Sequence, residues 1–132
     1  MSQDSVEIVR TAYDAFAQGD MPTVLGQLDP AVVSYTASPL PDAGEHQGHE
    51  GFLQWVEDWT AAFDQFEMDA EEYTEVGQNV IVRARQRATG ASSGTPVEQT
   101  FWLLHVLRNG RISRIGIHAT EDQALEAAGQ SE

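Results

Sequence analysis

The sequence contains no cysteine, which excludes thiol nucleophiles, disulfides and thiolate-ligated metals. It contains no lysine either, since all seven basic residues are arginine, and this excludes Schiff-base catalysis through a lysine amine. No apolar run approaches the ~20 residues that cross a bilayer as a helix. Positive charge is scarce: the formal net charge is -14 over 132 residues. A field of that sign repels phosphate backbones, so nucleic acid is not an expected partner. Anionic membrane surfaces are disfavoured for the same reason. The acid excess reads chiefly as a solubility device. The first ten residues, MSQDSVEIVR, lack a basic segment and an apolar core, so the expected location is cytoplasmic.

Against these absences stands a globular composition with 41% apolar residues. The length suits one domain over residues 1–132 with a real core. Charge is unevenly spread. Six of the seven arginines lie between Arg83 and Arg114, while most acids precede Glu75.

Val9, Ala12, Tyr13 and Phe16 recur at helical spacing. Asp4 or Ser5 can cap that helix and Gly19 ends it. Asp20 caps a short second helix with Pro22 in its first turn. Asp29-Pro30 breaks it, and AVVSYTAS reads as a strand. PLPDAGEHQGHEG reads as a loop. Phe52, Trp55, Val56, Trp59 and Phe63 then form one aromatic helix stripe. FEMDAEEYTEV, NVIVRARQRATG and VEQTFWLLHVLRNGRISRIGIHAT read as long strands, and EDQALEAAG as a terminal helix. Helices followed by a meander of strands predict an α+β fold on an antiparallel sheet.

The last long segment is a hairpin about Asn109-Gly110, a strong two-residue turn signal. Ideal pairing sets His105 opposite Arg114 and Phe101 opposite His118. Alternation then gives one face Phe101, Leu103, His105, Leu107, Ile112, Arg114 and His118. The other face carries Trp102, Leu104, Val106, Ile115 and Ile117. A slip or bulge would reshuffle this. The mixed face reads as a pocket lining, with its two imidazoles about 13 Å apart. Both faces are apolar enough to need cover. Three helices would cover one, and a second copy of the chain would cover the other as an isologous dimer.

AYDAFAQGD, LDPAV, GHEGF, VIVRARQRATG, LRNGRI and EDQALEAAG, in that order, resemble the nuclear transport factor 2-like superfamily, nearest its SnoaL-like (polyketide cyclase-like) branch. The resemblance implies a cone-shaped, curved antiparallel sheet packed against three N-terminal helices, a cystatin-like α+β barrel. It also implies an apolar cavity, homodimers through the sheet, and enzymes related to ketosteroid isomerase. Such enzymes use a cavity carboxylate as acid or base. The isomerase aspartate position falls near Tyr35, and the SnoaL-like one near Thr120. No aspartate lies between Asp69 and Asp122. Glu98, the one acid in the hairpin strands, falls on the face opposite the histidines.

His105 and His118 are therefore the candidate proton carriers, assisted by Tyr35. Either histidine can equally be a hydrogen-bonded core residue. The cavity wall is assigned to Tyr13, Phe16, Trp55, Trp59, Phe63, Phe101, Leu103 and Arg114, a set that packing alone would also explain. Arg83, Arg85 and Arg87 either bind a ligand carboxylate or form a salt-bridged surface. Glu57 or Asp58 beside the tryptophans is either a base at the cavity mouth or a solvated flank. His46 and His49, with Glu45 or Glu50, have a spacing that would suit a metal, but exposed loop histidines are the commoner outcome and no metal site is assigned. The expected activity is cofactor-free, cyclase- or isomerase-type proton transfer on a small hydrophobic or aromatic molecule. The rival expectation is a non-catalytic binding protein or structural dimer of the same fold.

Overall fold

Strand alternation organises the molecule. In a computed structural model describing residues 2–41 and 43–130, β4 (Asn79–Gly90) and β5 (Pro96–Arg108) lie at the centre of the long-strand region. Val82, Ala84, Leu103 and His105 point to one face, and Ile81, Arg83, Trp102 and Leu104 to the other. The full sheet has six strands in the order β2-β1-β6-β5-β4-β3. The flanking strands are β1 (Leu28–Thr36), β2 (Gly44–Gln47), β3 (Phe63–Val76) and β6 (Arg111–His118). All pairs are antiparallel except β1 with β6. The sheet is thus mostly, not wholly, antiparallel.

Three N-terminal helices cover the inner face. α1 (Ser2–Ala17) buries Val9, Ala12 and Ala15, and begins before the expected caps Asp4 and Ser5. It stops at Gly19, whose φ of +74° suits the residue after a helix end. Asp20 caps α2 (Met21–Gly26) by accepting from the Thr23 N–H and O–H. α3 (Gly48–Thr60) buries Phe52 and Trp55 against β1. It ends before Phe63, which opens β3 instead, so Phe63 does not belong to the helix stripe. The expected loop before α3 contains the edge strand β2, paired with β1 from Val33 to Thr36. Asp42 of that loop, and Ser131 and Glu132 at the end of the expected domain, lie outside the described residues.

The outer face carries its own apolar cluster. Ala124 and Ala128 of α4 (Glu121–Gln130) pack on Ile81, Leu104 and Val106, with Trp102 at the margin. The chain itself therefore covers part of the face assigned from the sequence to a second copy. Among the described residues, no helix is long and apolar enough to cross a membrane.

Candidate functional site

The hairpin turn forms as its sequence demands. Asn109 and Gly110 have φ of +53° and +77°, the left-handed pair of a type I′ turn. Arg108 pairs with Arg111 and Leu107 with Ile112, but Val106 pairs with Arg114. Ser113 is thus an extra residue on β6, and its hydroxyl donates to the Val106 carbonyl at 3.1 Å. A bulge inverts the phase of everything beyond it. Ile115 and Ile117 turn inward, while Arg114, Gly116 and His118 turn outward. His105 and His118 therefore lie on opposite faces, contrary to the expectation that both enter one pocket.

The inner face holds the pocket. It lies among α1, α2, α3, β1, β3, β5 and β6, and its volume is about 90 Å³, several times the ~10–15 Å³ that one water occupies. Of the residues assigned to it from the sequence, Tyr13, Phe16, Trp55, Trp59, Leu103 and His105 line it. Phe101 stands behind the wall, edge-on to Trp59 at 5.3 Å between ring centroids. Phe63 packs instead on Phe66. Tyr35, Arg114 and His118 are on the other side of the sheet. Ile112, expected on the mixed face, lines the pocket too, as do Phe66, Met68, Ile115 and Ile117, which were not singled out from the sequence. The β3 pair was readable as apolar residues alternating with Glu67 and Asp69. Ile115 and Ile117 were hidden by the bulge.

One polar pair sits in this apolar wall. His105, only 1% exposed, places Nδ1 3.2 Å from the Val80 carbonyl and Nε2 3.1 Å from the Tyr13 hydroxyl. A carbonyl can only accept, so the ring proton is on Nδ1 and Nε2 accepts the tyrosine O–H. Burial lowers the imidazole to about 4, opposed by hydrogen bonds to the backbone of Val80 and Leu103. The ring is neutral at pH 7. Burial also holds Tyr13 well above its usual 10.0, with Tyr73 adding to the effect. No carboxylate lines the pocket among the described residues. Glu57 and Asp58 are not in the wall. Asp58 accepts from Gln54 at 2.7 Å.

The outer face holds a second tyrosine–histidine pair. The Tyr35 hydroxyl is 2.7 Å from His118 Nε2, and its ring lies across Gly116. The Arg114 guanidinium stacks 4.5 Å above that ring and reaches Glu45 at 3.1 Å. Burial lowers His118 and raises Tyr35, the latter opposed by Arg114. Further along this face, Arg83, Arg85 and Arg87 meet Glu71, Glu72, Glu98 and Asp69 at 2.7–3.6 Å. Their charges are matched by the chain's own acids, as in the salt-bridged alternative. Glu98 lies opposite His105 but on the same side as His118.

His49 Nε2 donates to the Leu28 carbonyl at 3.2 Å, and His46 lies 3.9 Å from Asp58. They serve separate partners, and no group of three candidate metal ligands occurs among the described residues.

Residues 9–115 match the family model of the SnoaL-like domain. Several solved structures share the NTF2-like α+β fold. An NTF2-like protein of unknown function from Burkholderia pseudomallei K96243 is 22% identical, with TM-score 0.78 over 93% of this chain and 95% of that one. TerC, co-crystallised with polyporic acid, is 19% identical, with TM-score 0.79 over 96% and 98%. A candidate SnoaL-like polyketide cyclase from Jannaschia sp. CCS1 is 21% identical, with TM-score 0.77 over 96% and 92%. Likeness at this identity speaks for fold and not for chemistry. No curated protein matches the chain at a significant level.

Proposed function

The chain belongs to the SnoaL-like family, and from that premise we propose that it binds a small, neutral, largely apolar molecule in the pocket beside His105. The observation that carries this reading is the wall itself. About 90 Å³ of space is surrounded by aliphatic and aromatic side chains, with one buried polar pair and the Thr60 hydroxyl. Such a composition suits a hydrophobic or aromatic ligand held by shape and oriented by a single hydrogen bond. Ligand exchange replaces poorly hydrated apolar surface with packed contacts, which favours binding. TerC, of the same fold, was co-crystallised with polyporic acid.

Native mass spectrometry of protein purified from its own host tests the reading. The expected result is a released apolar compound at one per protomer. Ala12→Leu fills the pocket from α1 and should abolish that occupancy while the protein stays folded. Retention of the compound by this variant would place it elsewhere.

One observation favours a second reading, proton transfer. Tyr13 Oη could take a ligand proton while its own proton passes to His105 Nε2 across the 3.1 Å contact. Burial opposes the resulting imidazolium, and no acid is at hand to stabilise it, so binding is the stronger reading. The two part on turnover. Loss of turnover in His105→Ala with ligand binding retained supports proton transfer. On either reading Tyr35 and His118 act outside the pocket. A dimer through the part of the outer face that α4 leaves uncovered completes the proposal, and sedimentation velocity tests it.

A further inference from the structure

Among the described residues, five in the pocket wall carry side-chain hydrogen-bond donors: Tyr13, Trp55, Trp59, Thr60 and His105. Each donor is already committed within the protein. The Trp55 indole N–H goes to Thr36 Oγ1 at 2.9 Å, and that of Trp59 to Gln86 Oε1 at 2.8 Å. The Thr60 O–H goes to the Val56 carbonyl at 2.9 Å. His105 Nδ1–H goes to the Val80 carbonyl, which leaves Nε2 as a bare acceptor. That acceptor takes the Tyr13 O–H. What the wall still offers is lone pairs, on Tyr13 Oη and on Thr60 Oγ1.

We infer that the pocket selects a neutral hydroxyl or N–H donor, such as a phenol or alcohol, docked on Tyr13 Oη, and disfavours ketones, aldehydes and carboxylates. The inference rests on the reading that the pocket binds a small apolar molecule. A ligand hydroxyl in this pocket finds an acceptor. A ligand carbonyl finds no free side-chain donor and gives up its water without replacement, which weakens binding. The orientation of the pair comes from Val80: its carbonyl fixes the imidazole tautomer, the tautomer fixes the Tyr13 proton, and that proton fixes what the ligand meets. An arrangement of this sense does not stabilise an oxyanion, because the tyrosine proton points away from the ligand.

The experiment titrates the wild-type protein with p-cresol, 4-methylbenzaldehyde and p-xylene, following chemical shifts. The p-xylene arm reports whether an apolar ring enters at all. The expected result is p-cresol binding about tenfold or more tighter than the aldehyde. Equal binding, or a tighter aldehyde, with p-xylene bound overturns the donor preference and leaves the pocket reading standing. No binding by any of the three overturns both. In His105→Leu the Tyr13 O–H loses its taker and can turn to the ligand, so the cresol-to-aldehyde ratio should fall at least about threefold. An unchanged ratio in that folded variant overturns the tautomer argument.

Discussion

Tyr13 Oη and His105 Nε2 come from positions 92 residues apart and meet at 3.1 Å in the pocket wall. The contact joins the first helix to the fifth strand. It also makes an imidazole that is nearly sealed from water depend on one neighbour for its second hydrogen bond.

That burial sets a pH dependence. His105 titrates at about 4 when folded against 6.5 when free, so between those values the unfolded chain binds more protons. Stability contributed by the neutral ring is therefore full above pH 6.5 and is lost as the pH falls toward 4. The loss approaches about 3 kcal/mol. His118 shifts in the same direction. Urea unfolding at pH 7 and pH 4.5 should show a smaller drop in His105→Leu than in wild type. An equal drop would remove His105 as the cause.

Tyr13→Phe leaves the Nε2 acceptor buried and unpaired, at a cost of about 1–2 kcal/mol. His105→Leu leaves the tyrosine hydroxyl in the same position. The double variant removes both halves and should be more stable than the sum of the single losses by about 1 kcal/mol. A double-mutant cycle in urea measures this coupling, and additivity would mean that the contact contributes nothing.

Gly116 is the floor on which Tyr35 lies, and a Cβ there would overlap the ring carbons. Gly116→Ala should displace Tyr35 from His118 and Arg114 and cost about 2–3 kcal/mol. In a Tyr35→Ala background the same change should cost less than about 1 kcal/mol. Thermal unfolding of the four proteins gives the answer.

Ser113 is the bulged residue, so its removal is a register experiment. Ser113→Ala loses one hydrogen bond and should cost about 1 kcal/mol. Deletion of Ser113 makes the ladder regular while Val106 still faces Arg114 and His118 stays outward, so it should cost no more than about 1–2 kcal/mol beyond Ser113→Ala. Urea denaturation of both variants gives the answer, and a far lower midpoint for the deletion would show that the bulge itself, and not the register beyond it, holds the strand.

The order of the helices and long strands, the Asn109-Gly110 turn and β4 could be read from local signals, whereas the short edge strand β2 lay in a stretch whose Pro and Gly content reads as a loop. Val9, Ala12 and Phe16 mark a helix face wherever it packs. The placement of His118 could not be read this way. It depends on a single extra residue between Ile112 and Arg114, and Ser113 carries no turn signal. The same inversion hid Ile115 and Ile117 from the pocket and put Arg114 into it. The Phe63 misplacement has another origin: its helical spacing from Trp59 holds, but the chain has already left the helix at Thr60. His105 was placed correctly because it precedes the bulge, and its partner Tyr13 was readable as an inward helix residue.

The Ser113 bulge leaves one layer of backbone between two tyrosine–histidine pairs. Tyr13 and His105 work on one side of that layer, Tyr35 and His118 on the other, with no residue in common. Drift in one pair need not disturb the other. Descendants of this chain can retune what the interior accepts while the exterior keeps its contacts, and the reverse. A hairpin in which Ser113 took a regular place opposite Val106 would have crowded both histidines onto one surface and tied their fates together.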